Sequence, residues 1–409
     1  MKIPCYICNT ETELEVGFEV VNFACPNCHS VYEADQNGKF LKKSQYKTTG
    51  QNYPLQIGDV GFLKGSNYKV TGILRKNVHP DYTWTEFILQ NEAKEFLYLS
   101  LSSGHWMMLT QMEEIFEVQK HPLILEHNNE DYNIFEFSDA KIISAEGFFD
   151  FELSEKFIHL VEYIKPPYLI SVERVKGIET AFYGEYVKKE VIKKAFKKTT
   201  IPYQFGVNMI QPFRYNVRNT GLIFCFFALF IFTADWLLYK DQTEQKVFSD
   251  IIRFTEFDNK AITSASFVLN GASAPLTVEV SSSVDNSWAN VNIALINEDT
   301  SDEIYANKDI EYYSGYTDGE YWNEGSKQEK FNICGVKGGK YHLVITPMKA
   351  PEDLANNEMQ ISATWNQPSS RNAWFVTIFM IVVFAVIYFF KYSFEKSRWS
   401  DSSYSPYSE

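Results

Sequence analysis

Two stretches of the chain are apolar all the way round, and most of the remainder alternates. Residues 221–239, GLIFCFFALFIFTADWLLY, and 373–390, AWFVTIFMIVVFAVIYFF, are nearly free of charge. Each is close to the roughly 20 residues a helix needs to cross a hydrocarbon core. The first contains eleven Leu, Ile or Phe residues, each favouring insertion by roughly 0.3–0.6 kcal/mol, about 3–7 kcal/mol together. Asp235 lies near the end of that run beside Trp236, where a charge can reach the headgroups. Transmembrane helices are therefore expected over 219–239 and 373–390.

Elsewhere the apolar residues fall in short runs broken by Gly, Asn and Ser. IGDVGFLKGSNYKVTGILRK, TWTEFILQN, EFLYLSLSSGHWMMLT and KFIHLVEYI have the β-branched and aromatic composition of strands. A β-sandwich or open barrel is expected over residues 53–200. It closes with an amphipathic helix in GEYVKKEVIKKAFKK, where Val187, Val191 and Ala195 recur every four residues with Ile192 and Phe196 beside them. PLTVEV, WANVNIALIN and KYHLVITP, with GGK and DGE turns, predict an all-β sandwich over 241–370. The fold class is thus mainly β, in several domains. The Ser-rich end, 391–409, is expected to be disordered.

Charge then orients the chain. Residues 241–370 hold 20 Asp and Glu against 9 Lys and Arg, most of the net charge of -14. Such acidity disfavours nucleic acid, whose phosphates are held by clustered cations. Arg214 and Arg218 precede the first apolar run, and Lys391, Lys396 and Arg398 follow the second. By the excess of cations on cytoplasmic flanks, both termini are expected in the cytoplasm and 241–370 outside the cell membrane. Trp236 and Trp374 would then mark the outer interface. The six lysines of 188–198 suit either an anionic leaflet or a solvated face. MKIPCYICNTETE lacks the apolar core of a signal peptide.

The cysteines add chemistry. Cys5, Cys8, Cys25 and Cys28 form C-x2-C-x16-C-x2-C, within the spacing of a tetrahedral zinc site. Two disulfides are disfavoured in a cytosolic segment, and a redox pair would need only one C-x-x-C. Four thiolates leave no open position, so the expected zinc is structural and residues 1–47 form a zinc ribbon. His29 is a candidate substitute ligand or a bystander. Asp309, Glu311, Asp318, Glu320 and Glu324 offer oxygens for calcium or a solvated acidic surface. The aromatic run EYYSGYTDGEYWNEG suits a binding surface or an edge strand. His79, Asp81, Glu86 and His105 fall in one β-rich region; Glu86 with His105 is the pair that could serve an enzyme, if the strands bring them together. No phosphate-binding loop, G-x-S-x-G or H-E-x-x-H is present.

In order, QIGDVGFLKGSNYKVTGILR, TWTEFILQN, SGHWMML and FYGEYVKKEVIKKAF resemble the bacterial domain of unknown function 4178. The resemblance rests on a Trp-x-Glu strand, a Gly-His-Trp strand and a closing Gly-Glu-Tyr helix. ALINEDTSDEIYANKDIEYYSGYTDGEYWNEGS and GVKGGKYHLVITP resemble the segment accompanying this domain in two-span members, so the likeness extends over 54–365. EGFFDFELSEKF departs from the pattern. The resemblance implies a membrane-associated protein without a settled activity.

The functional expectation is a non-enzymatic, two-span membrane protein. It would couple an extracytoplasmic binding or sensing domain, with an unknown ligand, to a cytoplasmic module that touches protein partners, in envelope maintenance. The alternatives are an enzyme built around Glu86 and His105, and a membrane-tethered nucleic-acid adaptor through the ribbon.

Overall fold

The computed structural model describes residues 1–47, 52–78, 82–118, 121–153, 157–240 and 243–407. The chain divides into two compact units, Met1–Val217 with Ala385–Glu409, and Arg218–Phe384.

The first unit is built around one long strand. Its elements are β1 (Lys2–Pro4), β2 (Glu11–Glu13), β3 (Asn22–Ala24), β4 (Ser30–Ala34), β5 (Phe40–Gln45), β6 (Val60–Leu63), β7 (Ser66–Val78), β8 (Tyr82–Asn91), β9 (Phe96–Ser102), β10 (His105–Met112), β11 (Ile124–His127), β12 (Glu130–Phe149), β13 (Ile158–Lys165), β14 (Tyr168–Val175), β15 (Ile178–Val187) and the helix α1 (Lys189–Ala195). Strands β7–β10 form one meander and β12–β15 another. The meanders join through β10 with β15 and β7 with β12, so eight antiparallel strands close on themselves. The expected sandwich or open barrel is therefore a closed barrel. The physical reason lies in β12, whose 20 residues pair with β13 through Asn133–Ala140, with β7 through Lys141–Gly147 and with β3 through Gly147–Phe149. Bulges at Ile134/Glu136 and Ile142/Ser144 bend it from one partner to the next. At Gly147, φ is +97° and an added Cβ would stand 2.3 Å from the Thr71 carbonyl, so no side chain fits where the strands diverge. Closure removes the open edges of the barrel sheet.

Alternation sorts the side chains. Phe87, Leu89, Leu97, Leu99 and Trp106 point outward into an apolar cluster covered by Leu55, Leu63 and the helix residues Ile192 and Phe196. The helix is shorter than the sequence pattern suggests. Gly184, Glu185 and Tyr186 belong to β15, and Ile192 and Phe196 are buried while Val191 is exposed. The strand pairing of β15 with β14 and β10 outweighs local helical preference there.

Among the described residues, the C-terminal segment expected to be disordered packs onto the barrel. Trp399 is buried against Phe135, Met209 and Ile210, and Ser402 Oγ donates to the Phe135 carbonyl. Aromatic side chains and a buried arginine, described below, outweigh its Ser-rich composition.

The second unit holds α2 (Val217–Tyr239), β16 (Gln245–Arg253), α3 (Phe254–Phe257), β17 (Ile262–Thr263), β18 (Phe267–Leu269), β19 (Ala274–Ser282), β20 (Ser287–Asn297), β21 (Glu303–Thr317), β22 (Glu320–Gly325), β23 (Gln328–Val336), β24 (Gly339–Lys349), β25 (Glu358–Trp365) and most of α4 (Arg371–Arg398). One sheet runs β16-β25-β19-β23 and another β17-β24-β20-β21-β22. They share a core containing Leu276, Val278, Val291, Ile293, Leu343, Ile345 and Ile361, the two-layer packing of a sandwich. The aromatic run forms the β21–β22 hairpin, with Tyr316, Tyr321 and Trp322 exposed. The helices α2 and α4 are long and apolar enough to cross a membrane. They touch where the Phe232 and Trp374 rings stand 5.2 Å apart, and most of their remaining apolar surface is uncovered.

A candidate metal centre and a polar barrel interior

The four cysteines converge. Their sulfurs all lie within 4.8 Å of one another, with Cys5 Sγ 3.4 Å from Cys28 Sγ and Cys8 Sγ 3.6 Å from Cys25 Sγ. Edges near 3.8 Å follow from four metal–sulfur bonds of about 2.3 Å arranged tetrahedrally, so the cluster can hold a metal ion. The two C-x-x-C turns are built alike. Asn9 N–H donates to the Cys5 carbonyl as His29 N–H donates to that of Cys25, and Cys5 N–H donates to Thr10 as Cys25 N–H donates to Ser30. Asn9 and His29 take matching positive φ values of 58° and 57°. His29 is thus the second turn's counterpart of Asn9, and its Nδ1 faces Glu146 at 3.6 Å; the converging group comprises the cysteines alone. Among the described residues the acidic side chains of 309–324 form no such group, and Asp309 accepts a hydrogen bond from Asn290.

The barrel interior is polar in a way the strand pattern does not announce. Trp84 and Glu86, two apart on β8, share the inward face, and Trp84 Nε1 donates to Glu86 Oε1 at 2.6 Å. Lys76 Nζ lies 2.9 Å from Glu86 Oε2 and 2.7 Å from Glu173 Oε1. Burial works against the Lys76 charge, but Glu173 and Glu86 outweigh it and hold the ammonium above its usual range. Burial pushes Glu173 up even with Lys76 beside it. These groups line a cavity of about 430 Å³. A second, of about 660 Å³, is lined by Trp84, His105 and Glu162 among others.

His105 has a defined tautomer. Its Nε2 stands 3.2 Å from the Phe205 carbonyl, which can only accept, so Nε2 carries the proton. Its Nδ1, 3.1 Å from Tyr186 Oη, then accepts the hydroxyl hydrogen, and Gln204 Nε2 donates to that hydroxyl at 2.8 Å. Burial, partly offset by the Phe205 and Gly206 carbonyls, lowers the imidazole below its ordinary value. Gly104 precedes it at φ +79°, where a Cβ would come 1.9 Å from the Tyr203 carbonyl. Only glycine lets the 203–206 segment pass so close.

The strands do not bring Glu86 and His105 together. Glu86 pairs with Ser100, and Ser100 with Met107 rather than His105. The two line different cavities. His79 and Asp81 lie outside the described residues.

Residues 56–189 match a known family, Domain of unknown function (DUF4178). The match covers about a third of the chain, and over that third the chain is similar to DUF4178. The matched segment runs from just before β6 to just past β15, so the DUF4178 region contains the whole barrel. The resemblant stretches beyond it, up to residue 365, lie outside the match. Trp84 of the Trp-x-Glu motif and His105 of the Gly-His-Trp motif line the larger cavity, and Tyr186 of the Gly-Glu-Tyr motif is hydrogen-bonded to His105. No curated protein matches the chain. Solved structures that align with it include the infectious bursal disease virus Gx strain, at 9% identity over 87% of this chain and 71% of that one, with a TM-score of 0.18. Trypanosoma rangeli sialidase in complex with sialic acid aligns at 6% identity over 84% and 76%, with a TM-score of 0.12. Scores this low carry nothing about function.

Lys76, Glu162 and Glu173 are the interior residues that sequence reasoning missed. The signal is a charged residue at an inward position within an otherwise apolar strand, as in IHLVEYIK, where Glu162 sits between Val161 and Tyr163.

Proposed function

We propose that this chain is a non-enzymatic, two-span membrane protein that couples a binding or sensing domain outside the cell membrane to a protein-interaction module in the cytoplasm, in the service of envelope maintenance. The observation that carries the reading is the placement of the two apolar helices. They bracket the sandwich, and each leaves most of its Phe, Leu, Ile and Val side chains uncovered by protein, which favours lipid as their surroundings. The cations before α2 and after the apolar run of α4 support cytoplasmic termini. The cytoplasmic module comprises the DUF4178 barrel and a ribbon held by structural zinc on Cys5, Cys8, Cys25 and Cys28, a ligand set with no open position for a substrate.

Native cysteines test the topology. Cys334 on β23 is free and exposed. A membrane-impermeant maleimide applied to intact cells should label Cys334, and a Cys334→Ser variant should lose that label. Labelling that appears only after the membrane is permeabilised would place the sandwich inside and remove the coupling reading. Metal analysis of the purified chain should find one zinc per chain; four free thiols with no zinc would refute the metal assignment.

A further inference from the structure

We propose that the larger barrel cavity binds a small organic cation, a protonated amine held by the Glu162 carboxylate against aromatic walls. At about 660 Å³ its volume lies in the range of roughly 300–1,000 Å³ typical of small-molecule sites.

Most of the charges lining the cavity are already engaged. Arg398 is fully engaged: Nε and Nη2 reach Glu395 at 2.8 and 3.3 Å, Nη1 donates to the Asn208 and Met209 carbonyls, and Nη2 to that of Gln211. His105 has both nitrogens committed and is the neutral form. Among the described residues no lysine lines this cavity, and Lys76 is already shared between Glu86 and Glu173. Glu136, near the mouth, accepts the Ser403 N–H at 2.7 Å. Glu162 has no ion pair or hydrogen bond among the described residues. The charged and titratable groups felt around it are Glu173, Glu136, Glu86, Lys76 and Tyr82, so carboxylates outnumber the single cation. Burial and that repulsion push its carboxyl up to about 7. A half-buried carboxylate without a partner loses part of its hydration, and an incoming cation supplies the missing partner. Trp84 and Phe135 are buried in the wall of the same cavity, while Tyr82, its ring 5.5 Å from that of Trp84, and Phe205 line it as exposed side chains. Aromatic faces beside a carboxylate are the recurring surroundings of ammonium groups. Calcium prefers six to eight oxygens, a demand that aromatic walls do not meet.

The cavity has a lid. Phe205 N–H donates to the Ser103 carbonyl at 2.8 Å, the Phe205 carbonyl accepts a hydrogen bond from His105 Nε2–H, and Arg398 clamps residues 208–211 from the end of α4. The lid segment leads on to α2. The site is built from the first unit alone, and it stands whether or not the helices cross a membrane.

The test uses the full chain in detergent micelles, titrated calorimetrically with 2-phenylethylamine and choline, with 2-phenylethanol and phenylacetate as neutral and anionic counterparts, and with calcium. At least one amine should bind saturably, one per chain, at least tenfold tighter than either counterpart. Glu162→Gln, which preserves side-chain volume, should weaken that binding at least tenfold. Phe205→Leu should weaken it several-fold and guards against a Glu162 variant that fails to fold. The proposal is overturned if neither amine binds saturably, if the neutral or anionic probe binds as tightly, if Glu162→Gln leaves affinity unchanged, or if calcium binds through Glu162 instead.

Discussion

The barrel and the sandwich are both antiparallel β structures, yet they bury opposite chemistry. The shared core of the sandwich is aliphatic apart from a few aromatic rings, with Leu276, Val278, Val291, Leu343 and Ile345 fully buried. The barrel places its comparable apolar residues outside, beneath α1, and turns Lys76, Glu86, Glu173, Glu162 and His105 inward. A core that exists for stability has no use for such groups, because well-packed apolar residues of similar volume serve as well or better. The contrast supports the proposal of a binding site in the barrel interior and gives no such support for the sandwich core.

The largest effect is expected from removing the cation that Glu86 and Glu173 share. Lys76→Met leaves Glu86 and Glu173 facing each other unpaired and should cost the first unit about 3–5 kcal/mol, the usual penalty for orphaning a buried charge. Adding Glu86→Gln and Glu173→Gln should recover most of that loss. Denaturant unfolding of the full chain in detergent reads both. If Lys76→Met alone costs less than about 1 kcal/mol, the interior is wetter than its burial implies and the comparison weakens.

The matching change in the sandwich obeys different rules. Leu343→Ala removes a fully buried aliphatic side chain and should cost about 2–4 kcal/mol through lost burial and a residual cavity. No second substitution elsewhere should rescue it, since no partner is orphaned. Its effect should also be confined to the second unit, so that a variant losing both unfolding transitions together would show the units to be thermodynamically one.

These contrasts were only half legible in the sequence. The spacing of Cys5, Cys8, Cys25 and Cys28 marks the converging cluster because C-x2-C turns are local and the metal-site geometry is stereotyped. The apolar helices are equally plain, since length and composition decide them. Barrel closure was hidden, because it depends on β12 changing partners along its length, and pairing between strands sixty residues apart leaves no local trace. The interior network was hidden for a related reason. Period-2 alternation shows that Lys76 and Glu162 share faces with particular neighbours, but only closure makes those faces an inside. His105 and Glu86 invited pairing as polar residues on nearby strands, yet the register sets them beside different cavities.

The smallest expected effect separates burial from ligand binding, because it needs no ligand. In the folded chain the Glu162 carboxyl titrates at about 7, against an ordinary 4.5, raised first by burial and then by Glu173, Glu136 and Glu86, with Lys76 opposing. The folded state thus holds the proton more tightly than the unfolded one. Stability from this group is fully present below the unfolded value, falls as the pH rises between 4.5 and about 7, and is gone above that. Glu162→Gln is neutral throughout and escapes the loss. Its advantage over the parent chain should be near zero at about pH 4.5 and grow to about 1–2 kcal/mol at about pH 8, less than the full shift implies because water and side-chain relaxation soften the penalty. Comparing the two proteins at each pH cancels the release of metal from the cysteines in acid, which affects both alike. A difference independent of pH would mean that Glu162 is already paired, and would leave the cavity without the open charge that sets the barrel interior apart from the sandwich core.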